Sequence, residues 1–548
     1  MSSVTYKTGA DNEKKSKAKG RLRFAIHTLG CKVNSYESDR MAGCLIDAGF
    51  EPVDFEDKAD IYIVNTCSVT NIADRKSRQI LHRAKKMNPD AVIVAAGCYV
   101  QSREQDEILS DGVDVLIGNE DKERIAGILA DYIENIRSSE ADSSEYQDHV
   151  SPGECGNENQ SESEDIITGR DEALTDTEDM MTDPGKMMPE HEGLQRRMQQ
   201  LPASEHTRAY IKIQDGCNQF CTYCIIPYVR GRIKSRDLKE IVDEAKNLAK
   251  AGFREVVLTG IHVSSYGKDL VADTKKSSDT DTDKMSYEEE IKSEDGRTVW
   301  YEDKGKLTLL SVIKAVHEVE GIHRIRLSSL EMGIITPQLA GELAALPKLC
   351  PHFHLSLQSG CADTLKRMNR HYTPEEYAAS VKYLRDAFYE KRGAYPAITT
   401  DVITGFPGES DEDFEQSRSF VESIGFFETH IFKYSKRQGT IAAKMKGQLT
   451  DRVKAQRSSV LIAMNEKKRA EYIEGIIGEK AYMPTLLIEE ETVIEGQKLQ
   501  VGYTAEYIRC GVKSDEDLRG KILIGHIALS DIFENGRQIC IMDEFEVK

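Results

Sequence analysis

The chain has 548 residues, 30% charged and 39% hydrophobic, with a formal net charge of −20. That length suggests about three domains. No apolar run is long enough to cross a bilayer, and the lysine-rich first twenty residues lack the apolar centre of a secretory signal. The composition therefore excludes secreted, membrane-integral and small disulfide-stapled proteins and points to a cytoplasmic one, whose 12 cysteines read as reduced thiols, some of them metal ligands.

After a polar tail, 1–20, the first domain, 21–137, alternates short apolar runs with amphipathic stretches. Phe24–Thr28, Ile61–Asn65, Ala91–Ala95 and Val113–Ile117 read as buried parallel strands. Ser38–Ala48, Ala73–Lys86 and Glu120–Ile136 read as helices, which makes a small open α/β domain. Residues 138–206 then hold 18 acidic against four basic side chains. A second acidic stretch, 268–306, holds 12 against eight. Both are poor in apolar residues and read as disordered inserts. They carry nearly all of the net charge, so the acidity is no argument against an RNA substrate.

From 207 to 449 the α/β alternation resumes around the second insert. Strands are expected at Ala209–Ile213, Glu255–Leu258, Arg324–Leu327, His352–Leu357, Ile398–Ile403 and Thr429–Phe432, with helical patterns between them such as Leu238–Ala251, Leu309–Val319 and Pro374–Phe388. Six such repeats suit an incomplete β/α barrel whose functional face lies at the C-terminal strand ends; a doubly wound sheet fits the same pattern. A connecting helix, 450–476, is capped by Thr450. From 477 to 546 the period switches to two. Five short strands, Met483–Ile488, Lys498–Tyr503, Glu506–Val512, Ile522–Ala528 and Gln538–Met542, fit a small β-barrel of the kind that binds oligonucleotides.

Six cysteines stand out in two arrangements. Cys217, Cys221 and Cys224 form a C-x3-C-x2-C triplet just past a predicted strand. Three thiolates in so short a loop can hold three irons of a [4Fe–4S] cluster and leave the fourth open to a small molecule. The alternative, a zinc knuckle, needs four ligands at other spacings. Cys31, Cys67 and Cys98 are far apart in sequence, yet each lies just past a predicted strand: Thr28-Leu29-Gly30-Cys31, Asn65-Thr66-Cys67 and Ala95-Ala96-Gly97-Cys98. Parallel strands bring such ends to one edge, so these three read as the ligands of a second, auxiliary [4Fe–4S] cluster, although a lone strand-end cysteine is more often a small buried hydrophobe. Cys44, Cys155, Cys350, Cys361, Cys510 and Cys540 show no such placement.

The triplet, with Tyr223 before its third cysteine, resembles that of the radical S-adenosylmethionine (SAM) enzymes. The resemblance implies that SAM chelates the open iron and is cleaved to methionine and a 5′-deoxyadenosyl radical. It also implies SAM contacts at the strand ends Thr259-Gly260, Leu355–Gly360 and Asp401–Glu409, with Gln358 and Gly405 as candidates. Taken with Leu29-Gly30-Cys31-Lys32-Val33-Asn34, Asn65-Thr66-Cys67, Gly97-Cys98 and the terminal β domain, the order of motifs is similar to that of the methylthiotransferases. That family joins an auxiliary-cluster domain, a radical SAM barrel and an RNA-binding TRAM domain.

The wording around Cys31, and Gly502–Ile508 in the terminal domain, resemble the subgroup acting on N6-threonylcarbamoyladenosine at tRNA position 37. Other members act on isopentenyladenosine in tRNA or on a ribosomal protein. The resemblance implies two SAM molecules per turnover, one as methyl donor and one as radical source. It further implies a tRNA anticodon stem-loop as partner, an electron donor such as flavodoxin or ferredoxin, an unidentified sulfur source, no membrane and a monomer. For holding RNA, the basic run Arg230–Arg236 beside the triplet is a candidate for phosphate or the SAM carboxylate; so are Tyr503 and Tyr507 for stacking and Arg509 for phosphate. A solvated charge run and a barrel core are the plainer readings of those residues. A non-catalytic iron–sulfur or zinc RNA-binding protein is the competing class.

Overall fold

The computed structural model describes residues 5–6, 21–145, 207–270 and 307–548. Most of the two acidic stretches lies outside the described residues. The first domain is built on β1 (Arg23–Thr28), β2 (Ile61–Thr66), β3 (Val92–Gly97) and β4 (Val115–Ile117), paired in parallel in that order. Two-residue strands flank them, Glu51–Pro52 beside β1 and, antiparallel, Thr5–Tyr6 beside β4. Every residue of β2, β3 and β4 is buried, as expected for strands covered on both faces. Helices α1 (Lys32–Asp47) and α3 (Ile125–Glu145) share one core with Ile63, Val94 and Ile117. Helix α2 (Asn71–Met87) seals the other face through Leu81 and Ala84 against Tyr62 and Ile93.

The boundaries of α1 and α3 differ from expectation. α1 begins at Lys32 rather than Ser38, immediately after Cys31, which sits at its N-cap without a side-chain hydrogen bond. α3 continues through Glu145, so the first residues of the acidic stretch are helical.

The second domain is an incomplete parallel barrel. Its strands are β5 (Arg208–Asp215), β6 (Glu255–Gly260), β7 (Arg324–Leu327), β8 (His352–His354), β9 (Ala397–Thr404) and β10 (Glu428–Lys433). β5, β6 and β7 form one parallel sheet and β8, β9 and β10 another; parallel bridges Ile325–Leu349 and Leu330–Leu355 join the two. The predicted strand at His352–Leu357 is regular only to His354. Alternate residues such as Ile211, Leu258, Ile325, Phe353 and Val402 pack outward under the helices in one large core, which leaves Arg208, Glu255, Arg324 and His352, each the first residue of its strand, on the lumen side.

Helix α4 (Asp451–Gly478), capped by the Thr450 hydroxyl accepting from the Val453 amide, leads to the terminal domain. There seven strands, not five, form one mainly antiparallel sheet: Thr485–Ile494, Gln497–Thr504, Arg509–Val512, Ile522–Gly525, Ala528–Glu534, Arg537–Ile541 and Phe545–Val547. The two additional strands are Ala528–Glu534, whose core-facing pattern is interrupted by a register shift, and the short Phe545–Val547. This domain docks under the barrel. Arg326 donates to the carbonyls of Ala505 (3.0 Å) and Thr504 (3.2 Å), and Arg324 to Thr504 (2.9 Å). Among the described residues no helix is long and apolar enough to cross a membrane.

Candidate iron–sulfur and SAM site

The strand register gathers the first three cysteines. Thr28 pairs with Asn65 and Thr66 with Gly97, so Cys31, Cys67 and Cys98 follow the ends of three adjacent strands. Gly30 makes the approach possible: at φ +105° it leaves a gap that a Cβ would fill only by coming within 2.7 Å of Cys67 Cβ and 2.9 Å of its Sγ. Asn34, one turn into α1, ties the strand ends together by donating to the carbonyls of Leu29 (2.6 Å) and Thr66 (3.0 Å). Cys31 is exposed while Cys67 and Cys98 are buried, and burial pushes the Cys67 thiol up to about 11.

The second triplet lies in the loop after β5. Cys217 follows Gly216 and its amide donates to the Gly231 carbonyl at 3.1 Å. The Gln219 amide points at Cys217 Sγ (3.5 Å), and Arg370 Nη1 lies 3.2 Å from Cys221 Sγ. Arg370 is held in turn by Glu331 at 3.0 Å, and Glu331 also meets His262 (2.8 Å) and Gln219 (2.6 Å). Burial raises Cys217 and pushes Cys224 up to about 12. Three thiols, no competing histidine or carboxylate hydrogen-bonded to them among the described residues, amide donors aimed at sulfur and a fixed guanidinium make a donor set suited to an anionic iron–sulfur cluster.

The two triplets face each other. Cys98 packs with Ile225, Ile226 and Val229, the residues just after Cys224. Asn119 spans the seam, donating to the Val229 carbonyl at 3.0 Å and lying 3.7 Å from Cys98 Sγ.

Other expected site residues have different surroundings. Gln358 is buried in the left-handed region at φ 69°, locked by its amide to the Asp401 carbonyl (2.8 Å) and by the Ile403 amide to its own carbonyl (2.9 Å); a non-glycine residue so held is a strained position of the kind found at ligand sites. Gly405 is different. A Cβ there would meet Lys454 Cγ at 2.3 Å, so this glycine makes room for α4.

Much of the basic run is spent inside the protein. Arg230 is buried against Glu37, Asp215 and Asn34, and Arg236 is held by Glu244 and Tyr36. Tyr503 and Tyr507 stack on each other (4.6 Å) at the barrel floor, where Tyr507 also stacks on His352 (4.9 Å). Arg509 pairs with Glu490 and Glu534. These three are interface and core residues, because their partners come from other elements that no local pattern announces. Of the remaining cysteines, Cys350, Cys361, Cys510 and Cys540 are buried and Cys44 partly so; Cys155 lies outside the described residues.

Residues that sequence reasoning missed include Asn34, Asn119, Arg370 and Arg437. Arg437 reaches into the first domain to Asp74, Ser68 and Ser102, beside Cys67.

Residues 23–118 match the uncharacterized protein family UPF0004 and residues 211–421 the radical SAM superfamily. The chain is 36% identical over 507 residues to the threonylcarbamoyladenosine tRNA methylthiotransferase MtaB of Bacillus subtilis, covering 91% of this chain and 92% of that one. It is 35% identical to the protein of that name from Aquifex aeolicus, covering 86% and 94%. To a tRNA-2-methylthio-N(6)-dimethylallyladenosine synthase of Pelotomaculum thermopropionicum it is 30% identical, covering 87% of each. A parallel β/α barrel with a cysteine triplet at its C-terminal rim defines a radical SAM enzyme. The chain belongs to the methylthiotransferase family, transferases that work with SAM and two [4Fe–4S] clusters.

Proposed function

We propose that this enzyme places a methylthio group on C2 of N6-threonylcarbamoyladenosine at position 37 of tRNA. The relatives sharing 36% and 35% identity carry that activity in their names. The observation that carries the reading is the opposition of the two thiol sets, with Cys98 packed against the residue that follows Cys224. Cys217, Cys221 and Cys224 would hold the cluster that binds SAM, and Cys31, Cys67 and Cys98 the auxiliary one. When bound, these groups supply the radical that activates the C2–H bond and the sulfur that replaces hydrogen. The protein's own residues position them: Arg370 holds Cys221 from the barrel, Asn119 spans the seam, and Gln358 offers a rigid strand end to SAM.

The anticodon stem-loop is the fitting RNA partner. α2 is capped by Thr70, three residues after Cys67, and carries Arg75, Lys76, Arg78, Arg83, Lys85 and Lys86 against one acidic residue, the buried Asp74. Such a basic face beside the chemistry suits phosphates, and exposed Val69 and Ile72 lie at its start. The terminal domain, which resembles a TRAM domain, would extend the surface. Nucleoside mass spectrometry of tRNA from cells with and without the gene tests the reading. Without it, the 2-methylthio derivative should vanish and N6-threonylcarbamoyladenosine accumulate. Loss of methylthiolated isopentenyladenosine instead would assign the other substrate.

A further inference from the structure

The inner wall of the barrel carries a cluster of side chains that the iron–sulfur chemistry does not use. His354 ends β8, Asp401 stands in β9 and His430 in β10. The register sets them side by side: His354 pairs with Thr399 and Asp401 with His430, all in parallel. Thr399 and Asp401 are two residues apart and so share one face of β9. The opposite face belongs to the core under the helices, where Phe353, Ile398 and Val402 pack. The three side chains therefore meet on the lumen side, where their nitrogen and oxygen donor atoms lie within 4.8 Å of one another.

The nearest pair has the spacing of two donors that share a cation. His354 Nε2 lies 3.3 Å from Asp401 Oδ2, longer than the roughly 2.7–2.9 Å to which a charge-assisted hydrogen bond closes. Two ligands bonded at about 2.0–2.1 Å in a tetrahedral shell stand about 3.3–3.4 Å apart. The His354 ring is held from behind, with Thr399 Oγ1 3.0 Å from its Nδ1, the kind of outer hydrogen bond that orients a metal-binding histidine. No lysine or arginine among the described residues pairs with Asp401. His430 completes the set. Its ring stacks on that of His354 at 5.7 Å and is exposed, free to turn toward the pair.

We propose that His354, Asp401 and His430 bind a divalent first-row transition ion, with zinc the best fit to the spacing. Two imidazoles and one carboxylate suit such ions, whereas magnesium and calcium take oxygen ligands. Three protein ligands leave a coordination position open, here toward the lumen. The same wall leads to the SAM-cleaving loop. Ser356, two residues past His354, offers its carbonyl to Arg370 at 3.4 Å, and Arg370 meets Cys221 Sγ at 3.2 Å. The ion would thus sit between the Tyr507 floor and the SAM-cleaving loop, its open position available to water or to an oxygen of the substrate. The site would be the same whichever adenosine is modified.

The test uses the full-length, cluster-loaded protein, equilibrated anaerobically with micromolar zinc and then desalted. Zinc and iron are counted by elemental mass spectrometry, and the zinc shell is read by X-ray absorption. Wild type should keep about one zinc beside about eight irons, in a shell of nitrogen and oxygen at about 2.0–2.1 Å without sulfur. Asp401→Asn and His430→Gln should each weaken zinc binding at least about tenfold in competition with a chromophoric chelator, with iron unchanged. A wild type that keeps no zinc overturns the inference. So does zinc–sulfur scattering at about 2.3 Å, which would place the ion on cysteines, and so does undiminished zinc binding in both variants. Should a variant lose its iron as well, the count and shell of the wild type decide alone.

Discussion

Arg230 of the barrel domain and Glu37 of the first domain meet in a sealed ion pair, Nη1 to Oε1 at 2.9 Å, with side chains 1% and 5% exposed. Lys122 and Lys212 converge on the same carboxylate, and Arg230 also donates to Asn34 Oδ1 at 2.7 Å. Asn34 holds the strand ends that carry Cys31 and Cys67, and Arg230 lies six residues beyond Cys224. One arginine thus links the loops of both thiol sets, and the relative position of the two centres is set by charge as well as by packing.

Removing one partner of such a pair leaves the other buried and uncompensated, at a cost of about 3–5 kcal/mol. Glu37→Gln should lower stability by that order in chemical denaturation. The pH dependence follows. Burial disfavours the Glu37 carboxylate, but Lys122 and Arg230 hold its carboxyl well below its usual 4.5. Its contribution is therefore complete above about pH 4.5 and is lost as pH falls toward the folded value. Wild type should lose stability on acidification below about pH 4.5 more steeply than Glu37→Gln; parallel curves would show that the pair adds nothing.

Gly30→Ala should act on one centre. The new Cβ would collide with Cys67 in a backbone conformation that costs a non-glycine residue roughly 1–3 kcal/mol. The expected product is a folded protein holding about four irons instead of about eight, still able to cleave SAM. Full iron content in this variant would contradict the account of Gly30.

The framework of this site was legible because its strands are unbroken apolar runs and each candidate cysteine follows one. What escaped depends on partners distant in the chain. Arg230 reads as the start of a basic surface run, and its acid lies 193 residues upstream. Tyr507 reads equally as an RNA platform or a core residue; only the docking of the terminal domain, with Arg326 4.7 Å from its ring, decides. The early start of α1 was hidden because its N-cap is Cys31, not one of the residues that announce a helix. At Gly405 no local pattern shows that Lys454 crosses over it.

The basic face of α2 gives a salt-dependent prediction. Each phosphate contact contributes roughly 0.7–0.9 to the slope of log affinity against log salt. Arg78→Glu with Lys86→Glu should weaken binding of an anticodon stem-loop and reduce that slope by about two, while SAM cleavage without RNA is unchanged. An unaltered slope would place the RNA elsewhere.

The two thiol sets should separate by function. Cys67→Ala removes a ligand from the auxiliary set and leaves the barrel loop untouched, so reductive SAM cleavage should persist while methylthiolation is abolished. Cys221→Ala removes the sulfur that Arg370 holds and should abolish both. Each variant should retain about four irons of about eight, measured together with 5′-deoxyadenosine and the methylthio product after anaerobic reconstitution. Because Cys98 touches the residues just after Cys224, some loss of SAM cleavage in Cys67→Ala is compatible with a loosened seam. Complete loss in both variants would mean that the first domain is needed to assemble the SAM-cleaving centre, and the division of labour would fall.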